Sequence, residues 1–330
     1  MYLNTTGANA ISGNLTVSGG TAKLLRADQI ANDKSLIVSS GTFNIQGYNE
    51  TVAGVQLTGG TISGSGGTLT SSSTFDMQAG SVAAILGGTV DLTKTGAGTV
   101  TLSAVNAYTG TTFINEGTLA LSGAGSIAGS PTINIASNAI FDTGSVSGIS
   151  LADGQTLKGS GKVAGGITID DGGILSPGNS PGIFIKDGGT MTWGTGGTYI
   201  WEISDANGTA GTDWDLVQLI NSAILDITAA TGTFTLDLRY TGLGFDRYGT
   251  YAPWTIVDDA DGSITGFLPS KFEIIISGFG DFVTADQFSV QSGSVQVRYG
   301  QSVPEPSTVV GVICVVFIIG LRRMRNSRKA

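Results

Sequence analysis

The sequence contains no histidine and a single cysteine, Cys314, in 330 residues. The commonest general base and metal ligand of proteins is therefore missing. Catalytic sites built on Ser–His–Asp or Cys–His pairs are excluded for this chain, and so are zinc sites made of cysteine and histidine. One cysteine cannot form a disulfide bond within the chain. Because Cys314 lies in an apolar run, we expect it to act as a small hydrophobic residue.

Charged residues and proline are also scarce. Charged residues make up 12% of the chain, and 7 prolines stand against 52 glycines. Hydrophobic residues reach 40%, which supplies the core that disordered chains of low hydrophobicity lack. The glycines follow no Gly-X-Y period, so a collagen-like helix is excluded. This composition favours an all-β protein with many tight turns.

The few basic residues are unevenly spread. Five of the 16 lie in the last nine positions, so residues 1–321 carry 11 basic against 25 acidic side chains. Nucleic-acid binding depends on basic residues that neutralise phosphates. We therefore expect no nucleic-acid partner, and we expect the body of the protein to present an acidic, well-solvated surface.

A short phrase recurs along the chain: a glycine, then a threonine, then an apolar residue. It begins at Gly41, Gly60, Gly67, Gly88, Gly98, Gly117, Gly189, Gly197 and Gly232. The step from Gly41 to Gly60 recurs almost unchanged from Gly67 to Gly88 and from Gly98 to Gly117. A fixed repeat of about 20 residues is typical of stacked units that bury a core only together.

Apolar residues alternate after each glycine, as Val100 and Leu102 do in GTVTLSAV. This alternation predicts short strands with one buried face. Only Gly19–Ser35 approaches a helical pattern within residues 1–300. The prediction is an all-β fold, a parallel β-helix or solenoid whose strands pair from one coil to the next.

The segment Leu92–Ser122, LTKTGAGTVTLSAVNAYTGTTFINEGTLALS, resembles the autotransporter-associated β-strand repeat of bacterial surface proteins. Its Thr-Lys-Thr-Gly-Ala-Gly-Thr opening, its Asn-Ala-Tyr-Thr-Gly turn and its closing Gly-Thr-Leu follow the order of that family. A looser similarity covers most of residues 1–240, including Leu175–Gly182 and Gly196–Leu219. The resemblance implies a right-handed β-helix. The segment after Gly300 is too short for the membrane barrel of an autotransporter, so we expect another route of export.

The composition changes after the repeats. Residues 241–300 are richer in aromatic residues, such as Trp254 and Phe279, and end in the alternating FSVQSGSVQVRYG. Because the last coil of a solenoid needs a cover for its open strand edges, we expect a β-rich C-terminal cap here. The predicted domains are therefore β-helix repeats at 1–187, the last coils and cap at 188–300, and a separate tail at 301–330.

The tail contains an uncharged apolar run, Val309–Leu321. As a helix it spans about 20 Å, less than the bilayer core of about 30 Å, and by length alone it fits a buried helix or a signal-like segment as well. Acidic residues and prolines precede it, and a basic cluster at 322–330 follows it. The asymmetry favours one transmembrane helix at 307–321, with the basic end in the cytoplasm and the β-body outside.

The tail also resembles a known sorting signal. Pro304, Glu305 and Pro306, then the apolar run, then Arg322 and Arg323 match the three ordered parts of the PEP-CTERM signal of Gram-negative bacteria. The resemblance implies that an exosortase-like membrane protease recognises and processes the tail, so that the membrane tether is transient. The alternative is a permanent tail anchor.

The opening segment Met1–Leu15, MYLNTTGANAISGNL, contains neither the basic stretch nor the apolar stretch of a signal peptide. Since export requires such a signal, we expect the sequence to be an N-terminally truncated or mis-started version of a longer exported protein.

Candidate polar and aromatic sites are few. Asp170 and Asp171, like Asp258–Gly262, are typical of turns. Asp205, Asp213 and Asp215 are weak candidates for a metal site, together with Asn207. Trp193, Tyr199 and Trp201 fit a packed core better than a sugar-stacking surface, which is the alternative.

The predicted function is that of an exported structural or adhesin-like protein of the surface or extracellular matrix, processed by an exosortase-type system. We expect no catalytic residues and no cofactor, and exopolysaccharide is a candidate partner. The alternatives are a β-helical enzyme acting on polysaccharide and a permanently anchored surface protein.

Overall fold

The computed structural model describes residues 1–300 apart from 8, 179, 180, 229, 282 and 293. They form β-strands, turns and two 3₁₀-helices, Pro269–Lys271 and Ala285–Gln287. In this part of the chain no helix has the length and hydropathy to cross a membrane. The transmembrane helix predicted at 307–321 lies outside the described residues.

Most strands pair in parallel and form three faces of a solenoid; the first two faces belong to one 22-stranded sheet, and the third consists of two separate sheets, of three and five strands. The first face contains the first halves of Leu15–Leu24 and Ser35–Asn44, followed by Gly54–Leu57, Phe75–Met77, Leu92–Lys94, Thr112–Ile114, Thr132–Ile135, Thr156–Gly159, Ile174–Pro177, Thr198–Ile203, Phe234–Tyr240 and Phe272–Ser277. The second face contains Tyr2–Leu3, the second halves of Leu15–Leu24 and Ser35–Asn44, then Thr61–Ser63, Gly80–Val82, Thr99–Leu102, Thr118–Ser122, Ile140–Ser145, Lys162–Ala164, Ile183–Asp187, Leu216–Ile220 and Val257–Asp258. The third face contains Glu50–Val52, Thr68–Ser71, Ile85–Gly87, Ile149–Ser150, Ile167–Ile169, Thr190–Trp193, Ala223–Asp226 and Gly262–Thr265.

The chain visits the three faces in turn, and on the first two faces each strand pairs in parallel with its counterpart one coil later. On the first face Phe75 pairs with Leu92, and Thr132 pairs with Thr156, so each pairing joins residues one repeat apart. The all-β parallel solenoid and its repeat are therefore confirmed. The weak helical pattern at Gly19–Ser35 is wrong, because this segment completes one strand at Leu24 and then turns.

The core follows from the alternation of side chains along each strand. Inward residues of successive coils lie in register, as Val38, Leu57 and Met77 do on the first face, and all three are fully buried. Full burial of one such side chain stabilises a fold by about 1.5–3 kcal/mol. A column of this kind is stable only when neighbouring coils stack, since each inward side chain packs against the coils before and after it.

The glycine of the recurrent phrase lies at a corner where coils stack closely. Gly60 has a φ of 77°, and a Cβ atom there would lie 2.4 Å from the carbonyl oxygen of Gly41 one coil earlier. Gly117 has a φ of 67°, and a Cβ atom there would likewise lie 2.4 Å from the carbonyl oxygen of Gly98. Only glycine fits both the left-handed backbone and the close approach.

Two lysines occupy inward positions among the apolar residues. Lys94 lies between Met77 and Ile114 on the first face and is fully buried. Its ammonium group donates hydrogen bonds to the carbonyl oxygens of Thr95 at 2.8 Å, Gly96 at 2.6 Å and Glu116 at 2.9 Å. The buried amine thus has three partners at the corner, as a polar group in a core requires.

Lys186 repeats the arrangement on the second face. It lies between Val163 and Leu219, and its amine donates to the carbonyl oxygens of Gly165 and Gly188. Burial lowers the pKa of Lys186 to about 8 and also lowers that of Lys94. Lys186 and Lys94, the lysine of the Thr-Lys-Thr-Gly phrase, are therefore both core residues.

The last coils are longer than the others. Thr198 pairs with Thr235, and Thr235 pairs with Glu273, so each of these steps is nearly twice as long as a step of the repeat. After them Trp254–Thr255, Phe288–Gln291 and Gln296–Tyr299 form an antiparallel sheet. This sheet lies in the region of the predicted cap, but the inward residues of the last first-face strand, Phe272–Ser277, are only half-buried. Capping, like the predicted domain boundaries, stays a prediction.

Candidate functional site

Two loops account for most of the added length of the last coils. Ile203 and Tyr240 are paired residues on neighbouring first-face strands, and both strands end at this position. Loop 204–214 follows the first strand and loop 241–253 follows the second. The loops therefore leave the solenoid at the same edge, one coil apart, and lie side by side.

Two hydrogen bonds, one of them buried, hold the loops together. The indole N–H of Trp254 donates to the carbonyl oxygen of Ala206 at 2.9 Å, in the interior. The backbone N–H of Thr241 donates to the oxygen of Ile203 at 2.8 Å. A Cβ atom at Gly242 would lie 1.9 Å from the carbonyl oxygen of Ser204, the first residue of the other loop. The contact between the loops therefore requires glycine.

A cleft with a volume of about 330 Å³ opens between the two loops. Its polar lining comes from Ser204, Asp205, Asn207, Tyr240, Asp246 and Tyr251, and Leu243 stands at its rim with 99% of its surface exposed. Two carboxylates lie in the lining, and no lysine or arginine does among the described residues. The cleft is consequently acidic.

The carboxylates of the cleft are held in fixed positions by the backbone. Oδ1 of Asp205 accepts the N–H of Asn207 at 2.9 Å, and Oδ1 of Asp246 accepts the N–H of Tyr248 at 2.9 Å. Each turn of this kind uses one carboxylate oxygen. The hydroxyl of Tyr251 donates to the carbonyl oxygen of Asp246 at 2.9 Å, which orients the aromatic ring against the same loop.

The two tyrosines of the cleft rest on an aromatic cluster. Phe245 lies 5.4 Å from Tyr240 and 5.3 Å from Tyr251 between ring centroids. Partial burial, and then the charge of Asp205, raise the pKa of Tyr240. Burial and Asp246 do the same for the pKa of Tyr251. Both phenols keep their proton at neutral pH.

The three aspartates proposed for a metal site point to different partners. Asp205 lines the cleft, whereas Oδ2 of Asp213 accepts the N–H of Thr209 at 2.7 Å. Asp215 is fully buried. Its carboxylate accepts the backbone N–H of Gly182 at 2.8 Å and that of Glu202 at 2.9 Å. Within residues 1–300 as described, no three His, Cys, Asp or Glu side chains are grouped to hold a metal ion.

The aromatic candidates are structural. Trp193, Tyr199 and Trp201 are fully buried, which confirms their assignment to the core. The ring of Trp193 stacks on that of Phe234, with 4.7 Å between the centroids. None of the three is therefore placed to stack on a sugar from solvent.

The remaining acidic candidates lie in turns. Asp171 adopts a φ of 41° in a turn, as expected of the Asp170–Asp171 pair. The segment Asp258–Gly262 also turns, closed by the N–H of Gly262 on the oxygen of Asp259 at 3.0 Å. Both segments form turns of the backbone, as predicted.

The residues that line the cleft were mostly missed by the sequence predictions. Of the lining residues, the sequence pattern points to Asp205 and Asn207 alone, and only as metal ligands; it does not mark the two tyrosines or the second aspartate. The available signal is the loss of the regular period after Thr198, since an insertion into a repeat marks a loop.

The predicted sorting residues lie outside the described residues; they are Pro304, Glu305, Pro306, Arg322 and Arg323.

The repeat region has a counterpart among known families. Residues 92–133 match the family model of the passenger-associated-transport-repeat. The match contains the strands Leu92–Lys94, Thr99–Leu102, Thr112–Ile114 and Thr118–Ser122 and the buried Lys94. It supports the predicted autotransporter-associated β-strand repeat. No curated protein and no solved structure shows significant similarity to the chain.

Proposed function

We propose that this protein is an exported, structural or adhesin-like protein of the cell surface or extracellular matrix. The observation that carries the proposal is the passenger-associated-transport-repeat at residues 92–133, set within a parallel β-solenoid. Repeats of this family and a β-helical body fit an autotransporter-like passenger. A solenoid with a continuous core is a stiff rod, and such a rod suits a spacer or a presenting surface.

The experiment is a localisation assay in the native host. Intact cells and the extracellular matrix are probed with an antibody against the solenoid, with and without protease added outside. We expect labelling of intact cells or matrix, and loss of the signal upon proteolysis. A signal confined to lysed cells, alongside a cytoplasmic control protein, contradicts the proposal.

For the tail, the proposal is sorting by an exosortase-type membrane protease after transient insertion of the helix 307–321. It rests on the ordered Pro304-Glu305-Pro306, apolar and Arg322-Arg323 segments. The solenoid is proposed to be right-handed, as the resemblance at Leu92–Ser122 implies. Mass spectrometry of the exported form tests the sorting: we expect Arg322–Ala330 to be missing. An exported form that keeps these residues supports a permanent anchor instead.

The proposed activity is binding rather than catalysis. The chain has no histidine to serve as a general base. The rival is a β-helical enzyme that cleaves polysaccharide with carboxylates, and it predicts release of reducing ends from a polymer incubated with the purified chain. Such release, abolished by Asp205→Asn or Asp246→Asn, would replace a binding role with an enzymatic one.

A further inference from the structure

We propose that the cleft between loops 204–214 and 241–253 binds a neutral saccharide. This inference deepens the proposed surface role and rests on it for the source of the ligand, an extracellular polysaccharide. The cleft is lined by two carboxylates, an amide, a hydroxyl and two tyrosines. All of these groups except Tyr240, which ends the strand Phe234–Tyr240, belong to two loops that the repeat does not need, because the strands continue to pair beneath them.

The polar groups match the hydroxyls of a sugar. Each carboxylate gives one oxygen to a backbone N–H, and its remaining acceptor positions are available for hydroxyl donors from a ligand. Hydrogen bonds to a charged acceptor are stronger than those between neutral groups. Asn207 adds both a donor and an acceptor beside Asp205. The site therefore recognises a ligand that is rich in hydroxyl groups.

The charge of the lining selects against acidic sugars. Asp205 and Asp246 lie in the cleft, and the described lining residues include no arginine or lysine. A uronate or phosphate brought there would meet like charge, and no described lining residue supplies a cation to offset it. We infer that the ligand carries no negative charge.

The tyrosines supply the apolar part of the site. Tyr240 and Tyr251 line the cleft and are fixed by Phe245 behind them. Aromatic rings of this kind offer a large, rigid contact surface with a polar tip. The volume of about 330 Å³ lies at the small end of the range of roughly 300–1,000 Å³ typical of ligand pockets. The ligand is therefore a short stretch of a saccharide chain.

The site is built before a ligand arrives. The bond from Trp254 to Ala206 ties the two loops together in the interior, and Gly242 lets them touch. The hydroxyl of Tyr299 donates to the carbonyl oxygen of Arg247 at 2.9 Å, which fixes the second loop to the antiparallel sheet. A preorganised site loses less conformational entropy when it binds.

The test is calorimetric titration of the purified full chain with four neutral probes: cellotetraose, maltotetraose, mannotetraose and xylotetraose. Tetragalacturonate serves as the acidic probe and calcium chloride as the metal probe. We expect at least one neutral probe to bind, and the acidic probe to bind at least about tenfold more weakly. Asp205→Asn and Asp246→Asn should each weaken the neutral probe about tenfold, since both remove a charged acceptor yet keep the turn.

The matched control is Asp153→Asn, an exposed aspartate in a turn of the repeat region, and it should leave binding unchanged. The proposal is overturned if no neutral probe binds at millimolar concentration, if tetragalacturonate binds as well as the neutral probes, if calcium alone binds, or if both variants bind normally. Circular dichroism confirms that each variant is folded. A chain found on the surface that binds no probe leaves the proposed function standing and removes only this site.

Discussion

The repeat region and the last coils use the same ladder of strands in different ways. In the repeats, a first-face pairing such as Phe75 with Leu92 joins residues one short coil apart, and the corners are tight. Beyond Thr198 the coils lengthen, as the pairing of Thr198 with Thr235 shows, although the strands still pair in register. The difference shows that a solenoid tolerates long insertions at a corner, because the stacked strands continue to pair and to bury their inward side chains.

The two regions also place their polar side chains differently. In the repeats, Lys94 points inward, and its amine donates hydrogen bonds to three carbonyl oxygens at its own corner. In the last coils, Asp205 and Asp246 stand in an open cleft. The first arrangement stabilises the stack and the second leaves polar groups free to meet a ligand, so the repeat is the scaffold and the inserted loops are the candidate site.

Removal of the inward amine should produce the largest loss of stability. In Lys94→Met the side chain still fits the column beside Met77, but three carbonyl oxygens lose their donor. We expect the free energy of unfolding to fall by about 2–4 kcal/mol, as measured by urea denaturation. Lys158→Met, at an outward position of the same face, is the control and should change it by less than about 0.5 kcal/mol. Equal effects of the two variants would show that the buried amine has no special role.

The strands and the solenoid could be predicted because a regular period and an alternating pattern report directly on stacking and burial. The inward Lys94 was predictable in principle, since it falls in phase with Leu92, but a lysine is usually assigned to the surface. The cleft could not be predicted in the same way. Asp205 and Tyr240 lie far apart in the sequence and meet only because two strands pair, so their proximity depends on a register that no local pattern specifies.

One buried carboxylate in each region should make stability depend on pH. Burial raises the pKa of Glu50, near the start, from 4.5 to about 7, and that of Asp215, in the last coils, from 3.8 to about 7. Between the ordinary pKa of each carboxyl, which holds in the unfolded state, and its raised pKa of about 7 in the folded state, the folded state binds more protons than the unfolded state. Stability should therefore fall as pH rises through this window and become level above about pH 7.

The variants Glu50→Gln and Asp215→Asn separate the two contributions. Each amide keeps one of the two acceptor oxygens and turns the other into an NH2 group, so each variant is less stable at every pH, and the comparison concerns the slope alone. Each should reduce the slope of stability against pH by at most about 1.4 kcal/mol per pH unit. Denaturant unfolding between pH 4 and pH 8 measures the slope. If both variants show the slope of the wild type, neither carboxylate is responsible for it.

The loops of the last coils should depend on one buried indole. Trp254→Phe keeps an aromatic ring but removes the donor to the oxygen of Ala206. We expect a loss of about 1–2 kcal/mol and faster hydrogen exchange in loop 204–214. Trp214→Phe removes a partly buried bond of 3.1 Å to Thr255 and should have the smaller effect. Unchanged exchange in both variants would mean that the loops are held by packing alone.

The smallest effect is expected on the outer surface of the repeats. The hydroxyls of Thr61 and Ser81 lie 3.1 Å apart on neighbouring coils, facing outward. In Ser81→Ala, water replaces the lost partner, so the free energy of unfolding should change by less than about 0.5 kcal/mol. If urea denaturation shows that the free energy of unfolding falls by more than about 1 kcal/mol, hydrogen bonds between outward hydroxyls hold the coils together as strongly as inward groups do. The scaffold would then owe its stability to both sides of its sheets, and the contrast with the exposed polar groups of the cleft would weaken.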